Sequence, residues 1–261
     1  MKASRVLSRL KSLGTEQTRK TYARHGVEGA LGVLYSDFYK LAKEIKVDHD
    51  LAVELWDSGY FDARVVAGMV ADPEKFNAST ANAWMRQVTN KGLLVVLSDL
   101  FARSTVGRRQ WPKWLKAKGE WTPATAWGMV GSMLRDGIAF TKTEARGLLA
   151  TIEKDIHKSE NRVKYSMNNA LIALGTYVPG FEQEAVRVAK RIGQVEVDHG
   201  LTDCKTPLAA PYIRKAAAHH RAKLAKQAAA AKKKAAKTAK KKAAAKRKAT
   251  AKTRRKAASA E

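Results

Sequence analysis

The sequence predicts an all-α fold in which helical hairpins stack and a basic tail follows. Apolar residues recur at spacings of three and four along residues 1–192, which is typical of amphipathic helices. The periodic segments are short and are separated by Gly, Pro or Asp breaks, as in helical-repeat proteins. No sustained alternation of polar and apolar residues indicates strands. Because no tight sequence repeat is found, an irregular helical bundle remains the alternative.

Twelve helices are predicted in chain order, each from an apolar face and from start and stop signals. Asp48 is a candidate N-cap, and Gly175 is interpreted as the stop of a helix that begins near residue 161. Val195–Val197 is the best candidate for an extended segment. The predicted helices are 3–13, 16–24, 37–46, 49–57, 61–71, 79–88, 93–103, 108–117, 122–136, 142–155, 161–175 and 181–192.

Charge divides the 261 residues into two predicted domains. The whole chain has 50 Lys and Arg against 24 Asp and Glu, a formal charge of +26. Residues 214–261 hold 19 of these cations and one acid, whereas residues 1–213 hold 31 and 23. The body, 1–213, is long enough to bury a core. The Lys/Ala-rich tail, 214–261, has no aromatic residue and one Leu, so we expect disorder in solution and helix when phosphates neutralise its lysines.

Composition and motifs exclude several classes of protein. The single cysteine, Cys204, excludes a disulfide framework and a multi-cysteine zinc site. His49 and His199 each have too few neighbouring donors for a metal site, and no nucleotide-binding fingerprint is present, so we expect neither metal nor cofactor. No apolar run approaches the length of a membrane span, and the N-terminal segment lacks the apolar core of a signal peptide. The tail lacks the apolar face that anchors helices on membranes.

The tail is predicted to bind DNA independently of sequence. Each contact between a lysine and a phosphate releases counterions, which makes the affinity strongly dependent on salt. The composition resembles that of the Lys/Ala tails of linker-histone-like bacterial proteins. The residues chosen for DNA contact in the tail are Lys232, Lys233, Lys234, Lys240, Lys241, Lys242, Arg254 and Arg255.

The body also offers candidate DNA contacts. Arg19, Lys20 and Arg24 are the first choices, because their segment is basic and near a helix start. Trp111 and Trp114 alternate with basic residues and could stack on bases or sugars, or could pack in the core. Charged helix residues often form only a solvated face, which is the alternative for each choice. The remaining candidates are Arg64, Arg86, Lys91, Arg103, Arg162, Lys164 and Lys205.

Three stretches of the body carry a family resemblance. They are Leu10–Gly26, Leu41–Pro73 and Met167–Ile213, and their most specific pieces are RKTYARHG, the LW–SG–AR–DP series and VEVDHG–T–CKTP–APYI. In order and spacing they resemble the bacterial DNA alkylation repair family of HEAT-like repeat proteins, over nearly all of residues 1–213. The resemblance implies an all-α HEAT-like solenoid with a concave basic face for DNA.

The resemblance also implies a chemistry. Active members are monofunctional glycosylases that excise cationic alkylated purines without flipping the base into a deep pocket, unlike most base-excision enzymes. Aromatic side chains lie against the sugar of the lesion, and a carboxylate stabilises the oxocarbenium-like state as the glycosidic bond breaks. Little acid catalysis is needed, because the alkylated base leaves as a neutral purine.

The family's catalytic set does not carry over cleanly to this sequence. The aromatic position falls near Lys91, and the expected Asp falls near Val95. Asp99, one helical turn further on, is the candidate catalytic carboxylate. A second aromatic position aligns with Asn169, and a basic position is lost near Ala124.

These observations favour a monomeric DNA-binding member of the family with weak or no glycosylase activity. Its expected partner is duplex DNA that is alkylated or structurally distorted, and its expected location is the nucleoid in a bacterial cytoplasm. An active glycosylase that releases 3-methyladenine or 7-methylguanine is the first alternative. A helical protein-binding scaffold is the second.

Overall fold

The computed structural model describes the backbone of residues 1–257 and the side chains of residues 1–235 and 238. The described backbone contains thirteen α-helices, two short 3₁₀ helices (Pro73–Lys75 and Ile156–Lys158) and no strand. The α-helices are α1 (Ala3–Leu13), α2 (Glu16–Arg24), α3 (Tyr35–Ile45), α4 (His49–Asp57), α5 (Phe61–Val70), α6 (Ala78–Arg86), α7 (Lys91–Arg103), α8 (Thr105–Leu115), α9 (Trp121–Arg135), α10 (Lys142–Asp155), α11 (Asn161–Tyr177), α12 (Glu182–Ile192) and α13 (Ala209–Ala257).

The predicted all-α fold is confirmed, and each of the twelve predicted helices is present with ends shifted by at most three residues. Gly175 is not a helix stop, because α11 continues to Tyr177. A Cβ on Gly175 would lie 2.6 Å from Ile213 Cγ2 and 2.8 Å from Ala185 Cβ, so this glycine is there for close helix packing. The candidate extended segment Val195–Val197 is not a strand.

Two layers of helices form the body. Helices α5, α7, α9 and α11 pack against one another in chain order, and we call them the central layer. Helices α4, α6, α8, α10 and α12 pack against that row, α6 also packs against α8 and α10 against α12, and we call these five helices the covering layer. Side chains of the central layer that point away from the covering layer remain partly exposed, and we call this side the open face.

Small residues let the central helices approach closely. A Cβ on Gly128 of α9 would lie 2.4 Å from Ser98 Oγ of α7, and the Ser98 hydroxyl donates a hydrogen bond of 2.9 Å to the carbonyl of Thr125. A Cβ on Gly131 would meet Ala173 of α11 at 3.9 Å. These contacts bring the exposed rows of α7, α9 and α11 onto one continuous surface.

A buried carboxylate holds the segment between α2 and α3. Asp62 of α5 is fully buried and accepts hydrogen bonds from the N–H groups of Leu31 (2.5 Å) and Val33 (2.9 Å). The Tyr22 hydroxyl donates to the carbonyl of Val33 at 2.6 Å. Burial raises the pKa of Asp62, and the backbone hydrogen bonds oppose that rise. These bonds fasten α2 to the first helix of the central layer.

Contacts divide the chain into two units, Met1–Arg214 and Lys215–Glu261. The helix α13 runs from Ala209 to Ala257, and the side chains of Lys232, Lys233 and Lys234 are exposed. The expectation that the tail is disordered in solution stays a prediction. None of the helices that the structure describes is both long and apolar enough to span a bilayer. The side chains of five predicted tail contacts lie outside the described residues: Lys240, Lys241, Lys242, Arg254 and Arg255.

Candidate nucleic-acid interface

One row of α7 side chains lies on the open face. Lys91, Val95 and Asp99 are spaced by four residues and therefore share one side of the helix. Tyr165 and Asn169 have the same spacing on α11. The Lys91 ammonium lies 5.1 Å from the centroid of the Tyr165 ring, so the rows of α7 and α11 meet across α9. This contact on the open face joins two side chains that are 74 residues apart in sequence.

Asp99 is tied to groups of α9. Its carboxylate accepts a short hydrogen bond from the Ser132 hydroxyl and an ion-paired one from Arg135 at 2.6 Å. Arg135 also lies 3.9 Å from Asp136. Burial lowers the pKa of the Arg135 guanidinium, but the charge and hydrogen bond of Asp99, together with Asp136 and Tyr177, raise it on balance. Asp99 is therefore one half of an ion pair between α7 and α9.

The positions where the family resemblance places catalytic groups hold other residues. Val95 is 48 % exposed and offers only an aliphatic surface where a carboxylate is expected. Lys91 and Asn169 replace the two aromatic side chains, and Asn169 is exposed. Ala124, at the position of the lost basic residue, is fully buried. No exposed group at these positions can supply negative charge to a developing oxocarbenium ion.

A hollow of about 250 Å³ adjoins this row. Tyr39, Val95, Asp99 and Arg103 are among its lining residues, and the Arg103 guanidinium donates a hydrogen bond of 3.1 Å to the carbonyl of Asp99. Tyr39 is 64 % exposed and is the aromatic group available for stacking here. Sequence reasoning missed Tyr39, and the available signal was its spacing of four from Tyr35, which places both rings on one side of α3.

A second hollow, of about 440 Å³, lies where α7, α9 and α11 begin. We call it the cationic hollow. Three of the predicted DNA contacts meet there, together with two histidines that were not among the predicted DNA contacts. Its charged and titratable lining residues include Arg24, His25, Lys91, Arg162 and His199.

The electrostatics of the cationic hollow act on its histidines. Partial desolvation lowers the pKa of His25, and Lys91, Arg24 and Arg162 lower it further. Partial desolvation also lowers the pKa of His199, as do Arg162 and Lys91, while Asp198 opposes them. Desolvation is the larger cause of both shifts, and the contributions of the neighbouring cations add to it in the same direction. No cluster of three or more His, Cys, Asp or Glu side chains that could hold a metal occurs among the described residues.

Six other predicted cations lie outside the cationic hollow, and three of them have partners within the protein. Arg19 donates to Glu16 and to the carbonyl of Leu31, both at 3.0 Å, and Lys20 lies 3.9 Å from Glu16. Arg64 donates to the carbonyl of Trp56 (3.1 Å) and to Gln87 (2.7 Å), with its guanidinium 5.2 Å from the Trp56 ring. Arg86 is exposed at the end of α6, Lys164 is half-buried on α11, and Lys205 is exposed after α12. The structure does not bring these six residues into the cationic hollow.

Trp111 and Trp114 pack in the core rather than offering stacking surfaces. Trp114 is 3 % exposed, and its indole N–H donates to Asn82 at 2.7 Å. Trp111 is half-buried, donates to the carbonyl of Ala126 at 2.8 Å and lies against Phe140. Both indoles satisfy their single donor inside the protein, which is the usual arrangement of a buried tryptophan.

Comparison with known proteins identifies the family. Residues 6–247 match the family model described as DNA alkylation repair enzyme. The chain belongs to the DNA alkylation repair enzyme family. The resemblance that the sequence motifs indicated is therefore confirmed for this family member.

Similar proteins match most of the length of this chain. An uncharacterized protein of Listeria innocua is 28% identical over 223 residues, which cover 79% of this chain and 93% of that protein. An uncharacterized protein of Listeria monocytogenes is 27% identical with the same coverage. A solved structure covers 82% of this chain and 93% of its own, with 29% identity and a TM-score of 0.75. It is described as a new family of proteins related to the HEAT-like repeat DNA glycosylases with affinity for branched DNA structures.

Proposed function

We propose that this protein binds branched or distorted duplex DNA through the open face of its body, and that its tail adds affinity that is independent of sequence. The observation that carries the proposal is the convergence of Arg24, Lys91 and Arg162 on one hollow of the open face. Clustered Lys and Arg side chains on one face are the electrostatic footprint of a nucleic-acid binder. The affinity of the similar solved protein for branched DNA supports this choice of substrate.

The proposal does not include base excision. The carboxylate of Asp99 is held by Ser132 and Arg135, so its charge is already compensated. Val95 and Asn169 replace the carboxylate and one aromatic group that excision in the family uses. What remains on the open face is suited to holding phosphates and to packing against sugars.

Binding to a branched probe should exceed binding to a linear one. We expect a three-way junction to bind about tenfold more tightly than a linear duplex with the same number of phosphates at about 150 mM salt, a difference of about 1.4 kcal/mol. Fluorescence anisotropy with labelled probes measures both dissociation constants. Equal dissociation constants would show that only non-specific charge attraction is present.

The alternative, an active glycosylase, is tested by product release. We expect the purified chain to release no 3-methyladenine or 7-methylguanine from alkylated duplex DNA above the buffer background, in a chromatographic assay that an active family member passes. We expect Asp99→Asn to change nothing in that assay. Release by the wild-type chain that disappears in Asp99→Asn would establish the glycosylase instead.

A further inference from the structure

We propose that the cationic hollow is a pocket for a single phosphate group of DNA. The phosphate is either a monoester at a strand end or a backbone diester at a branch point. The inference rests on the proposed function and deepens it, because it names the chemical group that the open face recognises. The pocket is formed by α2, by the first turns of α7, α9 and α11, and by the segment that contains His199.

The cations of the hollow form no ion pairs in the part of the chain whose side chains the structure describes. Across residues 1–235, no acidic side chain forms an ion pair with Arg24, Lys91 or Arg162. The two acids nearby are already engaged by backbone groups. Glu120 accepts a hydrogen bond of 2.7 Å from the N–H of Arg162, and Asp198 accepts one of 2.7 Å from the N–H of Gly200. Among the lining residues that the structure describes, the three cations outnumber the one carboxylate, Glu120, so a bound anion would compensate the excess positive charge.

The backbone adds donors of the right sign. Helices α7, α9 and α11 begin at Lys91, Trp121 and Asn161, so three positive helix ends point to the same hollow. No N-cap side chain accepts a hydrogen bond from the first turn of α9, and Pro123 has no N–H, so the N–H groups of Trp121 and Thr122 are the backbone donors of this turn that a ligand could use. This arrangement combines side-chain cations with backbone donors, as phosphate sites do.

Tyr165 contacts two of the side chains that line the hollow. The Lys91 ammonium lies over its ring, and the imidazole of His199 meets the ring edge-on at a centroid distance of 5.5 Å. The His199 Nε2 atom also lies 3.0 Å from the Thr206 hydroxyl oxygen. These contacts reduce the side-chain entropy that binding would otherwise remove.

Phosphate binding is expected to be coupled to protonation of the histidines. Without ligand, His25 faces Arg24, Lys91 and Arg162, and His199 faces Lys91, Arg162 and Asp198, with Glu120 and Tyr165 also beside the hollow. An anion in the hollow makes the local potential less positive and thereby raises the pKa of both histidines. Binding then takes up protons, so the affinity rises as the pH falls from about 8 to about 6.5.

The direct test compares two charge removals on the same helix of the full-length chain. Arg162→Gln removes a lining cation but keeps the backbone N–H that donates to Glu120, and Lys164→Gln removes a cation two residues away that does not line the hollow. We expect Arg162→Gln to weaken binding of a three-way junction about tenfold and to reduce the log–log salt slope by about 0.9. We expect less than a twofold loss for Lys164→Gln. Equal losses in the two variants would overturn the pocket.

Two junctions distinguish the sources of the phosphate. One carries a 5′-phosphate and the other a 5′-hydroxyl on the strand that ends at the branch. A loss in Arg162→Gln that is confined to the phosphorylated junction assigns the pocket to a strand-end monoester. The same loss on both junctions assigns it to a backbone diester.

A measurement without DNA separates this inference from the proposed function. Proton NMR follows the His25 and His199 ring signals during titration with inorganic phosphate, with His25→Gln and His199→Gln used to assign them. We expect both pKa values to rise in the wild-type chain and to rise less in Arg162→Gln, even if DNA binding fails for another reason. Unchanged pKa values at saturating phosphate would overturn the pocket, whatever DNA the protein binds.

Discussion

Truncation after Ile213 is expected to lower the affinity for linear duplex DNA at least about a hundredfold at 150 mM salt. The removed segment carries 19 Lys and Arg and one acid, whereas the remaining body carries 31 and 23. If six to ten tail cations contact phosphates, the log–log salt slope falls by about 0.9 for each contact that is lost. Ile213 is fully buried beside Gly175, so truncation beyond it preserves that packing.

A full-length variant provides the matched control for this truncation. Replacing the eight chosen tail cations with glutamine keeps the chain length and removes only charge. We expect this variant to lose most of the affinity and slope that the truncation loses. A truncated protein that keeps the wild-type salt slope would show that the tail does not contact DNA. The eight positions are Lys232, Lys233, Lys234, Lys240, Lys241, Lys242, Arg254 and Arg255.

Asp62→Ala is expected to lower the free energy of unfolding by about 3 kcal/mol. The carboxylate is fully buried and accepts the N–H groups of Leu31 and Val33, so its removal leaves two donors unpaired away from water. Urea unfolding followed by circular dichroism measures the loss. Glu54→Ala, on the exposed surface of α4, is the control and should change stability by less than about 0.5 kcal/mol.

The stability difference between the wild-type chain and Asp62→Ala is expected to depend on pH, and the pKa shift of Asp62 gives its sign. Burial raises the folded-state pKa of Asp62 above its ordinary value of 3.8, so the folded chain holds this proton to a higher pH than the unfolded chain. The stability that Asp62 contributes is therefore complete below about pH 4 and falls as the pH rises through the folded pKa. The stability difference between wild type and Asp62→Ala should shrink over that range. A difference that grows with pH would contradict the assignment.

The helices were predictable because each of them carries local sequence signals. Apolar spacing and caps such as Asp48, whose side chain accepts the N–H of Leu51, mark the helices independently of their neighbours. Gly175 was wrongly predicted to end its helix, because a glycine is needed there for a tertiary contact: Ile213 and Ala185 approach the backbone of α11 closely. A glycine that permits close packing and a glycine that stops a helix look the same in one sequence.

The candidate site was predictable only in part, for the same reason. Basic residues could be nominated from composition, but their use depends on partners that are distant in sequence. Arg64 donates hydrogen bonds to Trp56 and Gln87. Lys91 and Arg162, in contrast, line the cationic hollow with His25 and His199. His25 and His199 lie in the family motifs RKTYARHG and VEVDHG, but neither motif shows that the two residues, 174 positions apart, line the same hollow.

The most direct test of the account asks which side of the body touches DNA. A photocrosslinking residue, p-benzoylphenylalanine, is placed in the full-length chain at Val95 on the open face, or at Val53 on α4 of the covering layer. These valines are exposed to similar extents, 48 % and 37 %. We expect efficient crosslinking to a three-way junction from position 95 and only background from position 53. Equal crosslinking from both positions, or crosslinking from position 53 alone, would contradict DNA binding by the open face.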